Sequence, residues 1–532
     1  MFYLLFILLW FVKEVKTILF WLFFWQLKDY HIGRAVDHFR TEKGKKVILN
    51  VKNFIVLFLF ILSFLSDYFL IFSIIITILY FLESIKFFYN LFSRRVKKPV
   101  FTIKALFLFS FLILITGFYL LKVFTSKFFM SWFLAFDILT PIITSLVVLL
   151  FQPLTMFLRN RVIKKAKDKR KKFKDLLVIG ITGSYGKTTT KEFLYEMLSK
   201  KFNVLKTDKH QNSEIGIANC ILNKLEEKHE IFIVEMGAYN RGGVKMLCDM
   251  VNPKIGILTG INEQHLATFG SIENIIKTKY ELIESLPEDG IAILNGSNKI
   301  IWDLRENVKN QKLKKVIFSS INNQEANILA ESIQEKKDGL LFNVLTNKQK
   351  QVFNLKLLGK QNIENILLAT ACSLELGLSL EEISSICGDI EDITGMIKLS
   401  KGINGIDLIE STYSSNPNSV IAHLSYLNKW NGKKVIVMPC LIELAQSSSR
   451  NHVMIGEKIG EVCDLAIITT KDKFREIKKG ASRKGMKESN LMFIESPEKI
   501  YGKIKNLIGT GDVVVLEGRL PIKLTELLKN GI

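Results

Sequence analysis

Apolar positions are distributed unevenly along this chain. Up to about residue 157 they run in blocks longer and more uniform than a soluble core uses. Beyond that point they break into short strand-like runs and helical spacings, punctuated by glycine and charge. Leu106–Leu121 and Phe128–Phe157 are candidate membrane spans, while Phe54–Leu65 and Tyr68–Leu82 flank Ser66-Asp67 as a helical hairpin with a polar tip. Met1 to Gln26 is apolar except for Lys13, Glu14 and Lys16. It reads either as a spanning helix with a charged middle or as two short interfacial pieces, giving about four to five spans in all. The start has no basic leader and no small-residue cleavage site follows it, so a cleaved signal peptide is not expected. Gln26 to Phe39 has amphipathic spacing and should lie along the cytoplasmic surface, with His31 and His38 solvated.

After the apolar region the pattern changes to strand, loop, helix. Leu176-Leu-Val-Ile179 precedes Gly180-Ile-Thr-Gly-Ser-Tyr-Gly-Lys-Thr-Thr-Thr190, and Lys191 to Ser199 follows with helical spacing. This is the layout of a phosphate loop. Glycines let backbone N–H groups crowd round phosphate oxygens, a helix N-terminus adds positive charge, Lys187 reaches the outer phosphates, and the Thr188 hydroxyl can ligate Mg2+. The glycines at 180, 183 and 186 depart from the common G-x-x-x-x-G-K-[ST] spacing, since Ile181 stands where its first glycine would be. Ile231-Phe-Ile-Val234 is a buried strand that ends in Glu235, at the sheet edge where open parallel sheets bind ligands, so Glu235 can share that Mg2+. Strands at 255–260, 435–438, 465–469 and 513–516 alternate with helices, among them 363–376, capped by Asn362, and 452–463. The expected fold is therefore an α-helical transmembrane region followed by two α/β domains: a P-loop-type parallel sheet and a Rossmann-like C-terminal domain. The boundaries are 1–157 for the membrane region, 158–174 for a basic tether, 175–393 and 394–532.

Charge orients this scheme. Of the 532 residues 73 are Lys or Arg and 51 Asp or Glu, a net +22, yet no nucleic-acid motif accompanies the excess, so no nucleic-acid partner is expected. Positive-inside topology and attraction to anionic membrane lipid account for it. Arg94, Arg95, Lys97, Lys98 and Lys104 mark one loop as cytoplasmic, against only Lys122 and Lys127 in the 122–127 loop. The last span then exits into the cytoplasm through a basic run from Arg159 to Lys174. Asp137, inside that span near Pro141, is expected near the outer interface. The six cysteines all follow residue 219 and show no C-x-x-C spacing, as reduced core residues do.

Five ordered motifs go further: the loop at 180–190, Asn212-Ser-Glu-Ile-Gly216, Glu235-Met-Gly-Ala238, His265-Leu-Ala-Thr-Phe-Gly270 with Lys279-Tyr-Glu-Leu282, and Leu294-Asn295. Over roughly 175–532 the chain resembles the Mur ligase family, and within it the D-alanyl-D-alanine-adding type. The resemblance implies an ATP-dependent amide-bond ligase of peptidoglycan assembly, working through an acyl phosphate that an amine then displaces. It implies that Gly183, Ser184, Tyr185, Gly186, Lys187, Thr188 and Thr189 hold the ATP phosphates, and that Thr188 and Glu235 bind one Mg2+. On the same ground His265 binds a second metal, Lys279 becomes carbamylated to help hold it, Asn295 contacts adenine, and Asn365 contacts the nucleotide. The implied partners are a muramyl-peptide acceptor, an amino acid or dipeptide, and other cell-wall enzymes.

The chain also departs from that family. Gln361 replaces a histidine, Met396 an arginine, Glu410-Ser411 an acidic pair and Glu517 a lysine, while Met438 to Leu444 lacks a Gly-Asp. Apolar segments stand where the family carries its UDP-substrate domain, which points to a lipid-linked or membrane-delivered acceptor as the alternative. A membrane ATPase or transporter, and a silent nucleotide-binding scaffold, are the competing classes.

Overall fold

The computed structural model describes all residues except 1, 29, 64–68, 94, 124–128, 210, 239, 265, 348, 392, 394, 395, 412–414 and 532. The expectations placed on Ser66-Asp67, Arg94, Lys127 and His265 lie outside the described residues. The chain forms two compact units, Met1–Asn160 and Arg161–Ile532.

The first unit is helical. Phe2–Leu27 is one continuous 26-residue helix, so the charged residues in its middle do not divide it. Among the described residues three helices are long and apolar enough to cross a membrane: Ser73–Phe92, Ile103–Val123 and Phe129–Leu150. Asp137 packs inside the helical unit. It is buried and accepts the Trp10 indole N–H at 2.8 Å and the Tyr80 hydroxyl at 2.6 Å, with Lys13 Nζ at 2.7 Å. Glu14 lies 2.8 Å from the same ammonium and accepts the Thr140 hydroxyl at 2.6 Å. Asp137 is thus spent on the charge in the first helix, a pairing that low-dielectric surroundings demand. His31 is exposed and caps helix Ile32–Arg40, its Nδ1 accepting the Arg34 N–H at 3.4 Å.

The second unit holds two sheets. The first has strands β1 Leu177–Thr182, β2 Val204–Lys206, β3 Ile231–Glu235, β4 Ile255–Leu258, β5 Ile291–Asn295, β6 Lys315–Ser320, β7 Ile328–Glu335, β8 Leu340–Thr346 and β9 Lys350–Leu355. Their order is β2-β3-β1-β4-β5-β6-β7-β8-β9, parallel as far as β7 and antiparallel beyond. The central strands β3 and β4 are buried throughout, as strands covered on both faces are. By contrast, β8 alternates buried and half-buried residues, as a sheet covered on one side does. On one face, Phe193, Leu194, Met197 and Leu198 of helix Lys187–Leu198 share a core with Ile363, Ile366 and Leu367 of helix Asn362–Glu375.

The second sheet contains β10 Lys398–Lys401, β11 Asp407–Ser411, β12 Lys434–Met438, β13 Leu465–Ile468, β14 Leu491–Phe493 and β15 Val513–Glu517, ordered β10-β11-β15-β12-β13-β14. All neighbours are parallel except β10 and β11. The carboxyl ends of β1 and β3 in one sheet, and of β11 and β15 in the other, bring Ser184, Glu235, Ser411 and Arg519 to one cleft.

Candidate active site

A cleft of about 300 Å3 lies between the two sheets' lobes. Ser184, Tyr185, Gly186, Lys187, Thr188, Thr189, Glu235, Lys279 and Asn365 all line it; Gly183 and Asn295 do not. The loop's conformation explains its glycine at 186. That residue has φ +80° and a Cβ there would lie 2.4 Å from Asn365 Oδ1, so a side chain would both strain the backbone and strike the helix opposite. Gly186 in turn caps helix Lys187–Leu198, leaving the first N–H groups of that helix without a side-chain cap.

The Lys187 ammonium is folded back on its own loop, 2.7 Å from the Gly183 carbonyl and 3.4 Å from that of Ser184. Burial lowers its pKa, against the pull of Glu235. The Thr188 hydroxyl donates to Glu235 Oε2 at 2.9 Å, and the other carboxylate oxygen accepts the Asn212 amide at 2.9 Å. Behind them Lys191, fully buried, bonds the Thr207 carbonyl at 2.8 Å and approaches Glu235 to 3.5 Å. Its position one helical turn after Lys187 was the sequence signal for this second lysine, and sequence reasoning passed over it.

Lys279 projects from helix Ile272–Glu284, which Ser271 caps through the Asn274 N–H at 3.2 Å. Its ammonium is buried, 3.4 Å from the Ala238 carbonyl and 5.7 Å from the Phe269 ring centroid. Burial, and then the nearby Lys187 charge, bring its pKa down to about 7. Such a lysine is largely unprotonated at mildly alkaline pH and can capture carbon dioxide.

Asn295 is buried behind the cleft. Its amide N–H groups go to the Thr259 carbonyl and Glu364 Oε2, both at 2.7 Å, and its oxygen accepts the Ser297 N–H at 3.0 Å. It braces β4 and β5 against helix Asn362–Glu375. Asn365 lines the cleft and its oxygen accepts the Thr190 hydroxyl at 3.2 Å. Asn362 does not cap its helix: Gln361 occupies the cap position, and the Asn362 amide donates to the Leu358 carbonyl at 2.6 Å instead.

The C-terminal lobe closes the cleft with Met396, Ser411, Asn416, His423 and Arg519. Asn416 also forms a capping box with Ser419, Pro417 standing at the helix start. Glu410 faces away, 2.5 Å from Lys529. His423 is the residue sequence reasoning missed. Its Nδ1 lies 2.7 Å from Glu517 Oε2 and its Nε2 3.0 Å from the Gln361 amide nitrogen. At one edge of the two lobes Arg450 and Asn451 reach Glu263 at 2.7 and 3.1 Å.

The Mur ligase middle domain matches residues 181–373, and the Mur ligase glutamate ligase domain matches residues 397–520. The chain belongs to the Mur ligase family. The UDP-N-acetylmuramoyl-tripeptide–D-alanyl-D-alanine ligase of Bacillus subtilis is 27% identical over 356 residues, 66% of this chain and 75% of that one. The enzyme of that name from Escherichia coli is 28% identical over 280 residues, 53% of this Mur ligase and 61% of its relative. This chain therefore spans less than two thirds of the E. coli protein's length. Among solved structures, MurF from Acinetobacter baumannii superposes with a TM-score of 0.61 at 25% identity, covering 68% of this chain and 78% of that one. MurF from Thermotoga maritima in complex with ADP gives 0.59 at 24%, covering 69% and 83%.

The residues of this Mur ligase fit the groups that the family uses. A hydroxyl and a carboxylate already in contact form the hard oxygen donor set that Mg2+ prefers. The loop N–H groups and Lys187 fit the phosphates of ATP.

Proposed function

We propose that this Mur ligase is an ATP-dependent amide-bond ligase that joins a carboxylate of a muramyl-peptide acceptor to the amino group of an amino acid or dipeptide. D-alanyl-D-alanine and a UDP-linked muramyl tripeptide are the substrates that the relatives' names supply. The observation carrying this reading is a single cleft in which Lys187, the Thr188–Glu235 pair and Lys279 face residues of the second lobe.

In this reading the N–H groups of 184–188 and the start of helix Lys187–Leu198 bind the phosphates of ATP, and Lys187 leaves its loop carbonyls for the outer phosphate. Thr188 and Glu235 would hold Mg2+, which offsets the repulsion between a carboxylate and a triphosphate. The acceptor carboxylate attacks the γ-phosphorus, giving an acyl phosphate and ADP. Lys279, uncharged and buried, is carbamylated by carbon dioxide and, with His265, would hold a second metal. The amine then displaces phosphate, and Arg519 offers positive charge to a substrate carboxylate at the cleft wall.

The apolar helices support placement in the cytoplasmic membrane as a multi-pass protein with both lobes in the cytoplasm, tethered by the basic run 159–174 and close to membrane lipid and other cell-wall enzymes. The same helices favour a second reading, in which the acceptor is lipid-linked. Phosphate release by the detergent-solubilised protein, measured with UDP-linked and lipid-linked muramyl tripeptides in the presence and absence of D-alanyl-D-alanine, decides between the readings. Release that needs neither acceptor nor amine would instead favour an ATPase.

A further inference from the structure

Four positions at which the sequence departs from the family's pattern lie at this cleft or directly behind it. Gln361, Met396 and Ser411 line it, and Glu517 stands directly behind through His423. Glu517 ends β15, is fully buried, and accepts the Ser415 hydroxyl on Oε1 at 2.6 Å and His423 Nδ1 on Oε2 at 2.7 Å. Among the described residues His423 is the one basic side chain in contact with it. A carboxylate only accepts, so Nδ1 carries a proton, and in the neutral imidazole Nε2 then has a lone pair at the cleft wall. In the structure that lone pair is met at 3.0 Å by the amide nitrogen of Gln361, an uncharged donor from the other lobe.

We infer that His423 receives the incoming amine and takes its proton, with Glu517 as its positioning residue; this rests on the ligase reading above. An ammonium is a stronger donor than an amide and displaces Gln361 from Nε2. The substrate R–NH3+ gives one proton to Nε2, leaving R–NH2 and an imidazolium whose charge Glu517 meets. The nitrogen lone pair then forms the C–N bond to the acyl carbon, and the C–O bond to phosphate breaks with its electron pair going to phosphate. The second nitrogen proton leaves with phosphate as HPO4 2−, and His423 returns its proton to solvent. If the contact served only to hold the lobes together, it would have no use for a buried carboxylate behind the imidazole, which costs stability unless it is matched by charge.

The test uses the full-length protein in detergent with ATP, Mg2+ and UDP-linked muramyl tripeptide, offering either D-alanyl-D-alanine or hydroxylamine. Hydroxylamine is already unprotonated at neutral pH and traps the acyl phosphate without a base. His423→Asn keeps a donor for Glu517 and lacks the Nε2 acceptor. The expected result is a fall of about 100-fold or more in the ratio of dipeptide product to hydroxamate, within the range general bases contribute. The pH dependence of the dipeptide reaction should flatten as well. Glu517→Gln should follow the same course more weakly, with Glu517→Asp restoring part of the ratio. An unchanged ratio, whether both activities survive or both fall together, overturns the proposal. A wild-type protein that forms neither product and no ADP with this acceptor, or with its lipid-linked form, sinks the ligase reading itself.

Discussion

The Thr188 hydroxyl stands 2.9 Å from Glu235 Oε2, although the two residues belong to a helix start and a strand end separated by 47 positions. β1 and β3 are paired in register from Leu177 with Ile231 to Ile181 with Glu235, so the loop that leaves β1 must pass the end of β3. Removing either oxygen should therefore weaken one metal site. Thr188→Ala is expected to raise the Mg2+ concentration for half-maximal ADP release by about 10–100-fold, and Glu235→Gln by more, because it also removes charge. Unchanged Mg2+ titrations would show that the pair does not hold the ion.

Lys279 should make the enzyme sensitive to both pH and carbon dioxide. Its pKa is depressed from 10.5 to about 7, so the folded protein keeps it uncharged above 7 and protonates it below. Carbamate formation needs the uncharged amine. At limiting bicarbonate, activity is expected to fall as pH drops through 7 and to return when bicarbonate is added. Lys279→Arg, always charged, should not respond, while Lys279→Ala should be inactive and partly rescued by short carboxylates. Bicarbonate-independent activity throughout, with no carbamate carbon in a 13C NMR spectrum, would refute the assignment. The folding linkage has the same sign: the unfolded chain binds this proton between about 7 and 10.5 and the native one does not, so Lys279 makes stability rise with pH across that window.

How legible these features were depends on the range of the signal. The phosphate loop and the strands β1, β3 and β4 are contiguous apolar runs with glycines at fixed offsets, and local pattern is enough to find them. β7 escaped notice because Glu331, Gln334 and Glu335 interrupt its apolar run. Nothing near Asp137 in sequence shows that Lys13 faces it from 124 positions away. His423 carried no local signal either. It occupies an apolar-spaced helix, and its partner Glu517 comes 94 residues later. Asn295 has a motif position but a bracing geometry, which only its three hydrogen bonds reveal.

The buried group around Asp137 gives a stability prediction. Asp137→Ala strips Lys13, Trp10 and Tyr80 of their shared acceptor inside the helical unit. Breaking one side of a buried ion pair costs about 3–5 kcal/mol. The full chain in detergent should show a lower thermal midpoint for its helical unit, followed by Trp fluorescence. The isosteric Asp137→Asn, which still accepts from Trp10 or Tyr80, should lose less. Equal midpoints for wild type and Asp137→Ala would mean that the cluster is not formed in solution.

Lys187→Ala separates catalysis from folding and also probes the link to Lys279. Among the described residues the Lys187 ammonium hydrogen-bonds to loop carbonyls, so its loss should leave the stability of the second unit within about 0.5 kcal/mol of wild type. ATP turnover should nevertheless vanish, since nothing else in the loop reaches the outer phosphate. The same change removes the cation that helps depress Lys279, so the Lys279 pKa should move up toward its ordinary value, and carbamate formation should require a higher pH. NMR titration of 15N-labelled lysine in the variant measures that shift directly. A Lys279 pKa that stays at about 7 would show that burial alone sets it, and turnover that persists would remove Lys187 from the phosphate site.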